Sequence, residues 1–236
     1  MSIQLLFWVL VGLFILFSVS VAFVEKQHIR DLVPLTPDRS IQWSPYFKAM
    51  NEAAERLGFV HAGIFVQDRK SRMYQAHMAI WISPEGHSLL RISGGTTAGI
   101  EIKRTWLTSF VEPNRIIETT DESGMADLSG YTDRKWLLNA GLDEMVACHI
   151  DRLAKYPEAK RHFPVNQALA ACEAMRAMTV AQMQKLGLAS FINAERTIWK
   201  HTLKGAWLNY AKGFRGQLKE GKAQMKRMDL KRPGAK

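Results

Sequence analysis

The sequence predicts an α+β protein: one N-terminal transmembrane helix, then a soluble domain built on a four- to five-stranded antiparallel meander flanked by helices. Three observations lead there. Leu5–Val24 is a run of 20 residues without a charge. Between about 58 and 120 the apolar positions recur with a period of two, and from about 133 onward the spacing becomes helical. The roughly 190 residues beyond the apolar run suffice for one domain with its own core.

The apolar run, interrupted only by Gly12, Ser18 and Ser20, sets the first boundary. At about 1.5 Å per residue it spans roughly 30 Å, the thickness of a bilayer's hydrocarbon core. Backbone groups in lipid must pair internally, so a helix is the form expected for residues 1–24. Leu5, Phe7, Trp8, Leu13, Phe14 and Phe17 would be its lipid-facing anchor residues. A cleaved signal peptide is the rival, with Ser20-Val21-Ala22 as its small-x-small site. Against cleavage, no Lys or Arg precedes the run and the run exceeds an ordinary signal core, so a retained anchor is expected. Lys26, Arg30 and Arg39 follow the run, beside the acids Glu25, Asp31 and Asp38. The basic flank places the N-terminus outside and the domain in the cytoplasm, at an inner membrane. Two cysteines, Cys148 and Cys172, are too few for a disulfide framework and suit a reducing compartment.

Residues 25–44 read as a linker carrying Pro34 and Pro37. The domain, 45–217, opens on a helix over 45–57, with Ser44 as N-cap, Pro45 in the first turn and Gly58 just past the end. Tyr46, Phe47, Met50, Ala53, Ala54 and Leu57 would form its packed face. Strands follow in "FVHAGIFVQD", "RMYQAHMAIWIS", "HSLLRIS", "GIEIKRTWLTSF" and "NRIIETT". Turn signals separate them at Asp68–Lys70, Pro84-Glu85-Gly86, Gly94-Gly95 and Pro113-Asn114. Connections this short make neighbours antiparallel. Helices are expected from Asp133, with Leu142, Met145, Val146, His149, Ile150 and Leu153 on one face. A second would run from Pro164 to Lys185, and a third from about Ser190 to Gln217. At "EAAERLGF" and "WLTSFVEPNRIIETT" the chain resembles uncharacterised single-pass bacterial membrane proteins. That resemblance implies an anchor, a short helix, a meander and a helical C-terminal half, and implies no activity.

Motifs that carry chemistry are few. "SGGTTAGIEIK" matches neither nucleotide-binding glycine pattern and leads into a strand, so it reads as a turn. His61, His77 and His87 lack a second ligand at metal spacing and read as solvent-facing sheet residues. Cys148 and His149 are adjacent, and adjacent helical residues diverge by about 100°, so they cannot act as nucleophile and base. His149 reads as a satisfied core histidine. Asp121, Glu122 and Asp127 lack the alternating spacing of a calcium loop and read as a solvated acidic loop. No cofactor and no metal are expected, and a non-enzymatic role leads.

The net charge of +10 is concentrated at the C-terminal end, where Lys200–Lys236 holds eleven Lys/Arg against Glu220 and Asp229. Read as a helix, Trp199, Leu203, Trp207, Tyr210 and Phe214 share an aromatic arc, opposite Lys200, Lys204, Lys212, Arg215 and Lys219. Such a helix either covers the sheet or lies in a membrane interface. The basic tail, 218–236, with Lys226 and Arg227, would meet anionic lipid headgroups, where each cation contributes roughly 1 kcal/mol. A nucleic-acid binder would gain little from a membrane tether. The expected role is an accessory or scaffolding subunit of a larger integral membrane complex; an energy-transducing photosynthetic or respiratory assembly would suit it. A tethered module for anionic lipid or an acidic ligand is the alternative, and a tethered enzyme the third reading.

Overall fold

The computed structural model describes residues 3–29, 32–35, 43–67, 74–97, 100–111, 115–121, 128–156 and 162–212. In chain order these form α1 (Ile3–Val24), β1 (Gln27–His28), β2 (Leu32–Pro34), α2 (Pro45–Arg56), β3 (Val60–Gln67), β4 (Tyr74–Ile82), β5 (Leu89–Thr97), β6 (Ile100–Val111), β7 (Arg115–Thr120) and β8 (Thr132–Trp136). There follow α3 (Leu142–Leu153), a 3-10 turn (Val165–Gln167), α4 (Ala168–Lys185), β9 (Ala189–Phe191) and β10 (Ile198–His201). Residues 203–212 are again helical and are called α5.

The fold is α+β with one long apolar helix at its N-terminus. Gln4–Val24 is long and apolar enough to cross a membrane, and almost none of it is covered. Leu5, Phe7, Trp8, Leu13, Phe14 and Phe17 are all more than half exposed.

The main sheet has seven strands in the order β2-β3-β4-β5-β6-β7-β8. The five meander strands expected from the period of two are β3 to β7, each antiparallel to the next. Two edges were not anticipated. β2 arises from the supposed linker and pairs antiparallel with β3, its Pro34 sitting at an edge where no ladder donor is lost. β8 pairs parallel with β7, over a stretch expected to be helical from Asp133. The Gly94-Gly95 pair lies inside β5 and is no turn. A Cβ at Gly94 would stand 2.8 Å from His77 Nε2 and 3.0 Å from Phe47, so the glycine makes room for those rings.

Strand alternation divides the side chains between two covered faces. On one, α2 and α3 pack Phe47, Met50, Ala54 and Leu142 against Ala79, Trp81, Leu90, Ile92 and Leu107. On the other, α4 and the chain before it pack Phe163, Ala168 and Met175 against Ile80, Ile82, Leu89, Phe110 and Ile116. α2 begins as expected: the Ser44 hydroxyl accepts from Phe47 N, Pro45 opens the first turn, and Gly58 follows with φ +77°. α3 buries Leu142, Met145, His149 and Leu153, but Ile150 is 56% exposed, one position off the stripe.

The expected helix from Ser190 is instead a small sheet, β1-β10-β9, and then α5. The turn between β9 and β10 explains why. Asn193 Oδ1 accepts from Thr197 N (3.1 Å) and Ile198 N (2.8 Å), and Arg196 sits at φ +54°. That side-chain-built turn replaces the helical hydrogen bonds. α5 then runs close over the end of α4. A Cβ on Gly205 would lie 1.9 Å from Leu188 O, so glycine alone fits there.

Candidate functional site

Three polar or amphipathic constellations stand out, and each is built by a particular crossing of elements. The first is the junction between α1 and the small sheet. β1 follows α1 after two residues and pairs with β10, Gln27 against Trp199 and His28 against Ile198. β10 also packs on the last turns of α1. Lys200 Nζ lies over the Phe23 ring, 5.1 Å from its centroid, and Val19 of α1 is buried. Arg176 of α4 donates to His28 O (2.7 Å), tying the junction to the domain. Trp199 is buried with Ile29, Val180, Met183 and Leu188 in the core beneath it.

The second constellation is a charged cluster on the α4 face of the main sheet. Glu118 of β7 is buried between Arg91 of β5 and Arg134 of β8. Arg91 Nη2 donates to Glu118 Oε2 (3.1 Å) and Thr108 Oγ1 (3.1 Å), and its guanidinium lies 5.2 Å from the Trp106 ring centroid. Arg134 Nε is in ionic contact with Glu118 Oε1, without the alignment of a hydrogen bond. Two guanidiniums on one carboxylate satisfy a charge that could not otherwise be buried. Beside the cluster, Arg91, Cys172, Glu173 and Arg176 border a recess of about 310 Å³, part of it open solvent, whose other wall is apolar. Burial pushes the Cys172 thiol up, with Arg91 and Arg176 opposing the shift, so it is an inert thiol.

Replacing Glu118 with glutamine removes the carboxylate that Arg91 and Arg134 share in a mostly buried setting. The expected loss is about 3 kcal/mol. It should appear as a lowered urea midpoint with unchanged m-value. An unaltered midpoint would mean that water, and not Glu118, carries these charges.

The third constellation is an internal hydroxyl–imidazole chain on the other face. His149 is fully buried, with Nε2 2.9 Å from Ser109 Oγ and Nδ1 3.0 Å from Thr119 Oγ1. Ser109 Oγ in turn lies 2.8 Å from Ser88 Oγ. Arg152 Nη1 donates to Thr119 Oγ1 (3.0 Å), so the Thr119 hydroxyl proton is free to point at Nδ1. Both ring nitrogens are engaged by hydroxyls, and Ser109, Thr119 and His149 are all fully buried, so no substrate reaches the pair. Burial, and secondarily Arg152, lowers the His149 pKa to about 3. The group is a satisfied core histidine, as its place on the apolar stripe suggested.

His77 departs from the expected solvent-facing position. It is buried on β4, edge-on to Trp43 (4.8 Å) and Phe47 (4.3 Å), and burial lowers its pKa to about 4. His61 is exposed and lies beside Trp81. In the β3–β4 ladder His61 faces Trp81 and His77 faces Val66, four residues apart on β4, or roughly 13 Å. His87 instead lies near His162 (6.1 Å between rings). Among the described residues no group of three His, Cys, Asp or Glu side chains is placed to hold a metal. Asp121 is not solvated either: it accepts from Tyr46 Oη (2.6 Å) and Thr105 N (2.6 Å), and burial raises its pKa. Glu122 and Asp127 lie outside the described residues.

His77 and His149 make stability fall in acid, and the buried His201, whose pKa burial also lowers, adds in the same direction. The folded pKa values of His77 and His149 lie below the ordinary 6.5, so the unfolded chain takes up the protons first as pH drops. Their contribution is intact above pH 6.5, falls through both groups down to about 4, and through His149 alone down to about 3. Between pH 7 and 4.5 the loss should be about 4–5 kcal/mol, Asp121 offsetting part of it at the acid end. Urea midpoints measured across this range check it. His77→Phe should make the slope distinctly shallower, and an unchanged slope would refute the assignment.

The aromatic arc read from the sequence divides. Trp199 is a buried strand residue, and Lys200 is its partly covered neighbour on β10. On α5, Gly205 and Ala206 face inward with Leu208 against the core, whereas Leu203 (64%) and Trp207 (51%) are exposed. Lys204 is exposed and Tyr210 half-buried, its ring 6.3 Å from that of Trp207. The aromatic face therefore does not close over the sheet. Phe214, Arg215, Lys226 and Arg227 lie outside the described residues. The Glu118 cluster was missed, although its signal is present: Arg91 stands between Leu90 and Ile92, and Glu118 follows two isoleucines. Charges inside strands this apolar must meet a partner across the ladder. Comparison of the chain with protein-family models, with curated proteins and with solved structures gives no match.

Proposed function

We propose that this chain is a single-pass membrane protein whose α+β domain is held rigidly at the bilayer surface as a non-enzymatic accessory or scaffolding subunit of a larger membrane assembly. The observation that carries the reading is the docking of α1 on the domain. An anchor serving merely to localise an enzyme would connect through a flexible linker. Here β1 begins two residues after α1, pairs with β10, and β10 packs back on α1, with Lys200 over the Phe23 ring. Helix and domain would thus move as one body, which suits a part that must present a fixed surface. The non-enzymatic side of the proposal is supported by the pairing of the charged and imidazole clusters with groups of the domain itself. The best nucleophile–base pair, Ser109 and His149, is sealed from solvent. The basic flank after Val24 supports a cytoplasmic domain and an N-terminus on the far side.

Purification of the full chain from its native membranes in mild detergent tests the assignment. The expected result is co-purification with an integral membrane complex in fixed stoichiometry, unchanged through a second column. Recovery of the chain alone, monodisperse at the mass of one copy plus detergent, would overturn it.

A further inference from the structure

The geometry points to α5 as an interfacial helix: we infer that Leu203 and Trp207 insert into the same bilayer surface that α1 enters, with Lys204 and Lys212 against anionic phospholipid headgroups. The inference rests on the reading of α1 as a membrane span. Its own observations are positional. α1 is apolar to Val24, yet the domain already covers it at Val19. Five helical residues are about 7 Å, so the part of the domain that packs there reaches below the end of the apolar run. β10 runs antiparallel to β1, with Trp199 opposite Gln27, so its end points back along α1, and α5 starts at residue 203, just past its last residue, His201. The first turns of α5 therefore lie at headgroup depth once α1 is inserted.

The side chains suit that depth. The inward side of α5 is Gly205 and Ala206, pressed on the end of α4, so the outward side is fixed by packing. What it presents there is Leu203 and Trp207, with Trp207 beside Tyr210. Tryptophan and tyrosine rings, with an apolar body and one polar edge, concentrate at membrane interfaces. The segments meeting at this corner, Glu25–Ile29 and Ala189–Lys212, carry Lys26, Arg196, Lys200, Lys204 and Lys212 against Glu25 and Glu195. The balance is positive, the sign attracted by anionic lipid. Lys200 can lie along Phe23 and still extend its ammonium to the headgroups.

The test uses the full chain, with Cys148→Ser and Cys172→Ser, reconstituted in phosphatidylcholine vesicles containing phosphatidylglycerol. Nitroxide labels are placed one at a time at Leu203→Cys, Lys204→Cys, Glu195→Cys and Phe14→Cys. Collision with oxygen, which partitions into lipid, is compared with collision with a water-soluble nickel chelate. The expected result is oxygen-dominated relaxation at 203, nickel-dominated relaxation at 195, and intermediate behaviour at 204. Nickel access at 203 equal to that at 195 would overturn the inference in favour of a solvent-facing helix. Protection from both reagents at 203 would overturn it in favour of contact with protein. An unchanged signal at 203 in vesicles of phosphatidylcholine alone would overturn the anionic headgroup assignment. Phe14 separates the levels: nickel access there means that α1 itself is not inserted, whereas oxygen access at 14 with nickel access at 203 defeats only the α5 inference.

Discussion

His149→Ala is expected to cost about 4 kcal/mol, the largest effect of any single substitution in the domain. The substitution removes a fully buried ring and leaves a cavity, and in the same step it takes one hydrogen-bond partner each from the hydroxyls of Ser109 and Thr119. Domains of this size have about 5–15 kcal/mol in total, so the variant should sit near the threshold of folding. Thermal unfolding should begin roughly 10 °C lower, following the usual scaling of midpoint with domain size. A variant that melts like the parent would show that the hydroxyl–imidazole chain contributes nothing to stability, and would reopen a chemical role for His149. Removal of the same ring should also abolish its share of the acid sensitivity, which ties the two measurements together.

Placing arginine at both Leu13 and Phe14 is expected to abolish membrane retention. The two residues lie near the middle of the apolar run and are more than half exposed, so they touch little of the domain. An arginine at the centre of a membrane helix costs about 3 kcal/mol, and two together about 6 kcal/mol, enough to shift insertion by several orders of magnitude. After alkaline extraction the double variant should appear in the supernatant while the parent remains in the pellet. Because the substituted side chains face away from β10, the domain should unfold in urea at the same midpoint as before. Persistence of the variant in the membrane pellet would show that something other than α1 holds the chain there.

What the sequence made legible, and what it hid, follows from the length of the periodic signal. α2 was readable because Ser44, Pro45 and Gly58 mark both ends around a full apolar stripe. The long strands β3 to β6 have eight or more residues each over which a period can show, although Gly94-Gly95 makes β5 look shorter than it is. β1, β2 and β9 have two or three residues, too few to display a period of two. β8 is "TDRKW", polar at four of five positions, and its neighbour "LLNAGL" drew the stretch toward a helical reading. In the C-terminal segment, Trp199 and Leu203 stand four apart by coincidence of a strand and a helix, which made a single aromatic face look continuous. The actual break is encoded by Asn193, whose side chain caps the turn, and this becomes visible only once its partners Thr197 and Ile198 are in place.

The candidate sites were legible to the same extent. His149 was identifiable from its place on the α3 stripe, since a polar residue at a core position must be satisfied. His77 was not, because alternation assigns it to a face without saying that Trp43, from outside the strand, covers that face. Glu118, Arg91 and Arg134 come from three strands, and their convergence depends on the parallel pairing of β7 with β8, which nothing local specifies. The docking of α1 on β10 is likewise a long-range event, read from neither segment alone.

That docking is the centre of the functional account, and a distance measurement tests it most directly. Spin labels at Val21→Cys on α1 and Glu195→Cys on the turn before β10, in the variant lacking both native cysteines, report the geometry of the full chain in lipid vesicles by double electron–electron resonance. Both positions are exposed, so labels should not disturb the junction. A rigid junction predicts one narrow distance distribution, the same in detergent and in lipid. A broad distribution, or one that changes between the two environments, would mean that α1 is only a tether and that the domain has no fixed orientation at the membrane.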